Sequence, residues 1–202
     1  MRRFAIIFLS FALSACFTAG KRGGDTAMAV YDLGPGLERQ IDRRQRPSPM
    51  AVEVRAPLWF DALGINYRLA YSDPARLREY ARARWAGPPA QMIQLGLVRD
   101  LGLVAAGQGR SNCVVRLEID EFSQVFETPV QSRAQIQGRV QWLDKSRARL
   151  AERTIHLEQA AASADAQGGV KALTALVGQL TAAINDWEQE SVAAGQLRNC
   201  QL

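Results

Sequence analysis

The residue best suited to covalent chemistry near the start of this sequence is Cys16, which closes the motif Leu13-Ser14-Ala15-Cys16. A branched apolar residue, two small residues and a cysteine resemble the bacterial lipobox, in which the thiol takes up a diacylglyceryl group. The small side chains let a peptidase reach the bond before the cysteine. The preceding residues fit a secretory signal, because Arg2 and Arg3 come before an apolar run over residues 4–13.

This apolar run is too short to cross a membrane as a helix, since ten helical residues extend about 15 Å, half of a bilayer's hydrocarbon core. We therefore predict a signal peptide over residues 1–15 and a mature chain that begins at Cys16 and is anchored by acyl chains, palmitate among them. Residues 16–28 are expected to form a flexible tether, and residues 29–202 the folded domain. The alternatives are an ordinary signal peptide with a chance cysteine, or a buried N-terminal helix.

The two other cysteines and the residues after Cys16 indicate the compartment. Neither Phe17 nor Thr18 is acidic, and by resemblance to lipoprotein sorting rules this favours the periplasmic face of the outer membrane. Lipidation uses Cys16 and leaves Cys113 and Cys200, an even pair that suits an oxidising compartment. We predict that these two form a disulfide that ties the C-terminal tail to a strand; two unpaired thiols are the alternative.

Composition disfavours several classes of function. The chain has 202 residues, 25 Lys and Arg, 20 Asp and Glu, one His and a formal net charge of +5. Its cations are spread along the sequence rather than gathered on one stripe, so nucleic acid is not an expected partner. The sequence has no CxxC motif and no cluster of His and Cys, so we predict neither a metal site nor a cofactor.

The candidates for catalysis are few. His156, the only histidine, could act as a general base or metal ligand, but no nucleophile can be placed beside it, and a solvated strand residue is the favoured interpretation. Glu118, Asp120 and Glu121 surround a predicted bulge and could hold a metal, although exposed strand residues are the commoner explanation. We therefore predict no catalytic residue and no enzymatic activity.

Two pairs of residues are candidates for contact with a partner. Trp59 and Phe60 lie in a predicted loop, where adjacent aromatic residues either pack under the core or face a partner. Arg84 and Trp85 lie near the end of a segment predicted to be a helix, because it begins with Asp73-Pro74. The arginines of that segment could meet anionic headgroups or a partner's acidic groups, or form a solvated face; they are Arg76, Arg78, Arg82 and Arg84.

The remaining pattern predicts the elements that must position these residues. Apolar residues at spacings of three and four predict one helix after Pro89 and a long one over residues 165–190. The sum is a single α+β domain, in which an antiparallel sheet of about five strands has two or three helices on one face. Alternating apolar residues predict strands over residues 29–33, 50–56, 65–71, 113–126, 134–142 and 151–157, with a bulge at 120–122.

The order of these motifs resembles one family, the ABC-type transport auxiliary lipoproteins. These are PqiC-like lipoproteins that accompany MCE-type lipid transport systems. The resemblance covers roughly residues 29–190. The similar segments are Ala56–Phe60, Ile65–Tyr71, Tyr80 with Arg84–Pro89, and Cys113–Phe126.

The resemblance implies a non-enzymatic protein on the inner leaflet of the outer membrane. Its implied partners are a periplasmic MCE-domain protein that carries lipid between the membranes, an inner-membrane permease and a cytoplasmic ATPase. It leaves open whether the protein also assembles into a homo-oligomer. The alternatives are a structural envelope lipoprotein that assists another outer-membrane export complex, and a weak hydrolase that uses His156.

Overall fold

A computed structural model describes residues 27–35 and 50–200 of the chain. The two helical patterns form α1 (Pro89–Leu101) and α2 (Ala166–Ala193), and a 3-10 turn covers Arg198–Cys200. The predicted signal peptide, Cys16 and most of the predicted tether lie outside the described residues. The strands are β1 (Ala29–Tyr31), β2 (Met50–Arg55), β3 (Gly64–Leu69), β4 (Asp73–Trp85), β5 (Val104–Ala105), β6 (Cys113–Thr128), β7 (Gln131–Asp144) and β8 (Arg149–Ala160).

Strand β6 is the centre of the sheet because it pairs with three other strands, two along one edge and one along the other. On one edge β7 runs antiparallel to it, and β8 pairs antiparallel with β7. On the other edge β2 pairs in parallel with Cys113–Glu118, and β3 pairs in parallel with Gln124–Phe126. Strand β5 continues the sheet beyond β2, while β4 and then β1 continue it beyond β3.

The α+β class and the single domain are confirmed, but within residues 27–35 and 50–200 the sheet has eight strands and is mixed, not five-stranded and antiparallel. The reason is the length of β6, whose 16 residues accommodate the six-residue strands β2 and β3 end to end along one edge. Both run in the direction of β6, and alternation in a sequence carries no information about strand direction.

The predicted bulge in β6 is confirmed at Asp120. The pairing register with β7 shifts between Ile119 and Glu121, so one extra residue stands in β6 at this point. The shift turns Phe122 onto the face that already carries Ile119, and Phe122 lies opposite Ile136 in the core. The apolar residues on both sides of the bulge therefore stay buried.

The helix predicted from Asp73 is wrong, because this segment is strand β4. Asp73 and Pro74 resemble a helix start, but the buried residues that follow are not spaced three or four apart, as one face of a helix would require. Ala83 and Trp85 are buried while Arg84 between them is exposed, which is the alternation of a strand. Pairing with β3 and β1 decides the conformation and outweighs the local capping signal.

One face of the sheet carries both helices and the main core. Helix α2 packs against β6, β7 and β8, and α1 packs against β2 and α2. Each fully buried leucine or isoleucine stabilises the fold by about 1.5–3 kcal/mol before conformational entropy is subtracted. The opposite face has only a small buried cluster within the described residues. The main core includes Ile93, Leu97, Leu117, Ile136, Trp142, Leu173, Leu176 and Leu180, and the small cluster holds Ala51, Val114 and Leu143.

Candidate functional site

The loop between β2 and β3 is held in a fixed conformation by its neighbours. The Asp61 amide donates to the Pro57 carbonyl at 3.0 Å, and Asn66 donates from Nδ2 to the Trp59 carbonyl at 3.0 Å. The Asp61 carboxylate accepts from the Ala90 amide at 2.9 Å, and this satisfies a free N–H in the first turn of α1. The loop is therefore tied to both β3 and α1.

Adjacent residues of this loop have opposite environments. Phe60 is 1% exposed, and the Arg68 guanidinium lies 5.9 Å from its ring centroid. Trp59 is 62% exposed, and Leu58 and Leu63 beside it are 86% and 42% exposed. We call Leu58, Trp59 and Leu63 the apolar loop patch. Large apolar side chains gathered in one rigid loop are typical of surfaces that another molecule covers.

Two of the four residues predicted to contact a partner are buried and therefore cannot contact one. Phe60 and Trp85 lie in the main core, and the Trp85 ring packs 5.8 Å from the ring of Phe122. Neither side chain can reach a partner unless the domain unfolds. Arg84 is exposed, but on strand β4 opposite Val30 rather than on a helix. Trp59 stays a candidate.

Cys113 and Cys200 are joined by a disulfide, with an S–S distance of 2.04 Å and Cα atoms 5.2 Å apart. Cys113 is the first residue of β6, and Cys200 ends the 3-10 turn that follows α2. Both are buried, as is Leu197 directly before the 3-10 turn. The bond therefore fixes the end of the described chain to the first residue of the central strand.

The carboxylates around the bulge are held by arginines. Glu118 accepts from Arg139 Nε at 2.6 Å, and Glu121 accepts two hydrogen bonds from the Arg68 guanidinium at 2.9 and 3.0 Å. In residues 27–35 and 50–200 no group of three His, Cys, Asp or Glu side chains is placed to hold a metal ion. The bulge therefore forms a set of ion pairs, not a ligand set.

His156 lies on the solvated face of β8. Its Nε2 is 3.2 Å from Glu158 Oε1, and the residue is exposed. Partial burial acts to raise the pKa of Glu158, but the hydrogen bonds from His156 and Arg133 more than offset it and lower that pKa. An exposed histidine paired with an ionised carboxylate is what the solvated-strand interpretation predicts.

A cavity of about 680 Å³ lies between α1, α2 and residues 32–35. Its walls are mostly apolar or small side chains, such as Leu33, Met92 and Val177. The charged groups at its rim include Arg99 and Asp100, and these two neutralise each other, since Arg99 Nε donates to Asp100 Oδ1 at 2.8 Å. The cavity offers space for an apolar group.

The described domain combines a long central strand that pairs with two strands along one edge, two helices on one face of the sheet, and a loop with exposed apolar side chains. A sequence model described as the ABC-type transport auxiliary lipoprotein component matches residues 31–185, from the end of β1 into α2. The chain belongs to the ABC-type transport auxiliary lipoprotein family. The resemblance derived from the sequence motifs is thus confirmed. No curated protein matches the chain.

Solved structures similar to this auxiliary lipoprotein share its fold. The crystal structure of protein XCC0632 from Xanthomonas campestris, assigned to the family DUF330, superposes with a TM-score of 0.67 at 20% identity and covers 84% of this chain and 98% of that one. A crystal structure of an uncharacterized protein superposes with a TM-score of 0.62 at 20% identity, over 78% and 96% of the two chains. At this identity the likeness establishes the fold alone.

No helix in the described parts of this auxiliary lipoprotein is long and apolar enough to span a bilayer. Sequence reasoning missed one surface feature and gave another the wrong conformation. Leu58 and Leu63 could have been noticed as further apolar residues around Trp59. The basic segment of β4 carries Arg76, Arg78, Arg82 and Arg84 at even spacings, which are typical of a strand rather than a helix.

Proposed function

We propose that this protein is a lipid-anchored, non-enzymatic component of an MCE-type ABC lipid transport system, held on the periplasmic face of the outer membrane. Its role is to dock a periplasmic MCE-domain protein, which is served by a permease and an ATPase at the inner membrane. The family match over residues 31–185 is the observation that carries the proposal. The anchor is Cys16, and the signal peptide over residues 1–15 is removed.

The anchor and the tether define what the folded domain can reach. The lipobox motif ends at Cys16, and β1 begins at Ala29. The twelve residues between them span about 40 Å when fully extended. This length lets the domain stand away from the membrane surface and meet a partner that approaches from the periplasm.

The apolar loop patch is the proposed docking surface for the MCE-domain protein. Its three side chains are exposed, whereas the loop backbone is fixed to β3 and α1, so little conformational entropy is lost when a partner binds. Tryptophan is one of the residue types enriched among those that supply most of the binding energy at interfaces. Trp59 is therefore expected to be the main contact.

The test is affinity capture of the tagged mature protein from detergent-solubilised membranes of cells that retain the neighbouring transport genes. We expect an MCE-domain protein among the captured proteins. A double variant, Leu58→Ser with Trp59→Ser, should lose it. The matched control is Tyr71→Ser with Val130→Ser, which removes two other exposed apolar side chains and should retain the partner.

The same capture distinguishes the alternatives. Recovery of subunits of a different outer-membrane export complex, without an MCE-domain protein, would favour a structural envelope lipoprotein instead. Retention of the MCE-domain protein by the loop-patch variant would keep the transport role but reject the apolar loop patch as its docking surface. Recovery of neither class of protein would contradict the proposed function.

A further inference from the structure

In the part of the chain that the structure describes, strand β4 has a free edge over most of its length. One side of β4 pairs with β3, from Arg84 back to Asp73. The other side pairs with β1 at Ala83–Trp85 only, so within the described residues no strand covers residues 73–82 on that side. Part of the backbone N–H and C=O groups of this segment therefore point outward, as a template for one more strand.

The arginines of this edge differ from most other arginines of the domain, Arg110 and Arg198 being the exceptions within the described residues. Nine arginines within the described residues form ion pairs with carboxylates, among them Arg68, Arg116 and Arg139. None of the four on β4 has such an ion pair within the described residues, and Nε of Arg78 is buried without a hydrogen-bond partner. Arg76, Arg82 and Arg84 are exposed. Asp73 and Glu79 also lie on β4, but within the described residues neither forms an ion pair with these arginines, so four arginines against two acids leave the strand a net charge of +2.

From these two observations we propose that the free edge of β4 binds an acidic, extended segment of a partner polypeptide as an added strand. The backbone groups supply the ladder of hydrogen bonds, and the arginines pair with carboxylates across the new strand pair. Cross-strand neighbours stand about 5 Å apart, which is within reach of an Arg–carboxylate hydrogen bond. The proposal extends the docking role proposed above. It rests on that proposed function for the assumption that the partner is a periplasmic protein.

The charge pattern decides between the occupants that an open strand edge could take. A second copy of β4 would bring the same net charge of +2 against this one and would be repelled. The outer edge of β8 carries Arg149, Glu152, Arg153 and Glu158, a balanced set that offers no net complement. An anionic membrane surface would satisfy the arginines but leave the outward backbone groups to water. An acidic strand satisfies both sets of groups.

The test uses the purified mature protein in detergent and a fluorescent ten-residue peptide in which glutamate alternates with valine or threonine. We expect the peptide to bind and to slow amide hydrogen exchange in residues 76–82. Arg76→Glu with Arg82→Glu should weaken binding by about tenfold or more, because each reversal turns an attraction into a repulsion. The control Arg110→Glu with Lys145→Glu changes the net charge equally in exposed loops and should leave binding within about twofold.

Three further arms can overturn the proposal. A peptide with lysine for glutamate, or one interrupted by two prolines, should bind weakly; equal binding by either would show that an acidic strand is not what the edge recognises. Protection of β8 instead of β4 would place the peptide elsewhere. Vesicles of phosphatidylglycerol that bind through Arg76 and Arg82, with no protection by the peptide, would identify a membrane surface as the ligand. Because no MCE-domain protein is present, these results are independent of the partner capture.

Discussion

Glu53 shows, at the scale of one residue, how the charges of this domain are arranged. Its carboxylate accepts from Arg55 Nε at 2.7 Å, from Arg147 Nη1 at 2.7 Å and from Arg116 Nε at 3.3 Å. Burial acts to raise its pKa, but the hydrogen bonds from Arg147 and Arg55 and the charge of Arg116 outweigh burial and lower the pKa below its ordinary value of 4.5. The folded state therefore favours the ionised carboxylate.

Replacing Glu53 by glutamine should reduce the free energy of unfolding by about 1 kcal/mol at pH 7, since the pairs are partly exposed and screened. Because the folded pKa is the lower one, wild-type Glu53 stabilises the fold above pH 4.5, and this advantage disappears as the pH falls through the folded pKa. Urea denaturation of the wild-type and variant proteins between pH 7 and pH 3 measures this difference in the free energy of unfolding. Glu127→Gln, which removes a more exposed pair with Arg133, is the control and should change less.

Trp59 and Phe60 provide a second prediction at this scale. Phe60→Ala should cost about 3–5 kcal/mol of stability, because it leaves a cavity beneath Arg68 in the core. Trp59→Ala should change stability by no more than about 0.5 kcal/mol, since its ring is exposed. Thermal and urea unfolding of both variants distinguish the two environments, and similar losses in both would contradict the described loop conformation.

At the scale of elements, the bulge of β6 depends on a glycine in the neighbouring strand. Gly138 of β7 pairs with Ile119, and a Cβ added to Gly138 would lie 2.1 Å from the Glu118 carbonyl oxygen. Backbone atoms cannot move aside as a flexible side chain can. The close approach of the two strands at the bulge therefore requires a residue without a side chain.

Gly138→Ala should accordingly destabilise the domain by about 1–3 kcal/mol, because the two central strands must move apart. The control is Gly87→Ala, where the nearest atom to an added Cβ is Met92 Cγ at 3.8 Å. That substitution should be nearly neutral. Equal effects of the two substitutions on the urea midpoint would show that the packing of β6 against β7 is not as described.

The disulfide joins two elements that are 87 residues apart in sequence. Removing it with Cys200→Ser should reduce the free energy of unfolding by about 2–5 kcal/mol, because the unfolded chain regains the freedom of a long loop. Dithiothreitol should destabilise the wild-type protein by a similar amount and leave the variant unchanged. If the reductant has no effect on the unfolding of the wild-type protein, the bond is absent in solution.

Strand β4 shows where element prediction from this sequence fails. Asp73-Pro74 is a strong local signal for a helix, and Leu77 and Tyr80 fall at helical spacing. The observed strand depends on pairing with β3 and β1, and these contacts are not visible in the segment itself. By contrast, α2 and the bulge were predicted correctly, because a long amphipathic period and a break in alternation are local properties.

For the whole molecule, the class of fold could be predicted, whereas the arrangement of the sheet could not. Alternating segments and two amphipathic helices are sufficient to indicate an α+β domain. Which strands share the edges of β6 depends on contacts between residues far apart, such as Ala51 with Val114 and Tyr67 with Gln124. The candidate docking residues could be predicted only in part for a similar reason. Phe60 and Trp85 are buried by residues distant in sequence, whereas Trp59 is exposed.

The central claim is that acylated Cys16 anchors the folded domain to a membrane. Mass spectrometry of the protein purified from membranes tests this claim most directly. We predict a mature chain that begins at Cys16 and carries the mass of diacylglyceryl and further acyl groups. The Cys16→Ser variant should remain as an unprocessed precursor. A wild-type chain that begins at any other residue, or at Cys16 without acyl groups, would contradict the account.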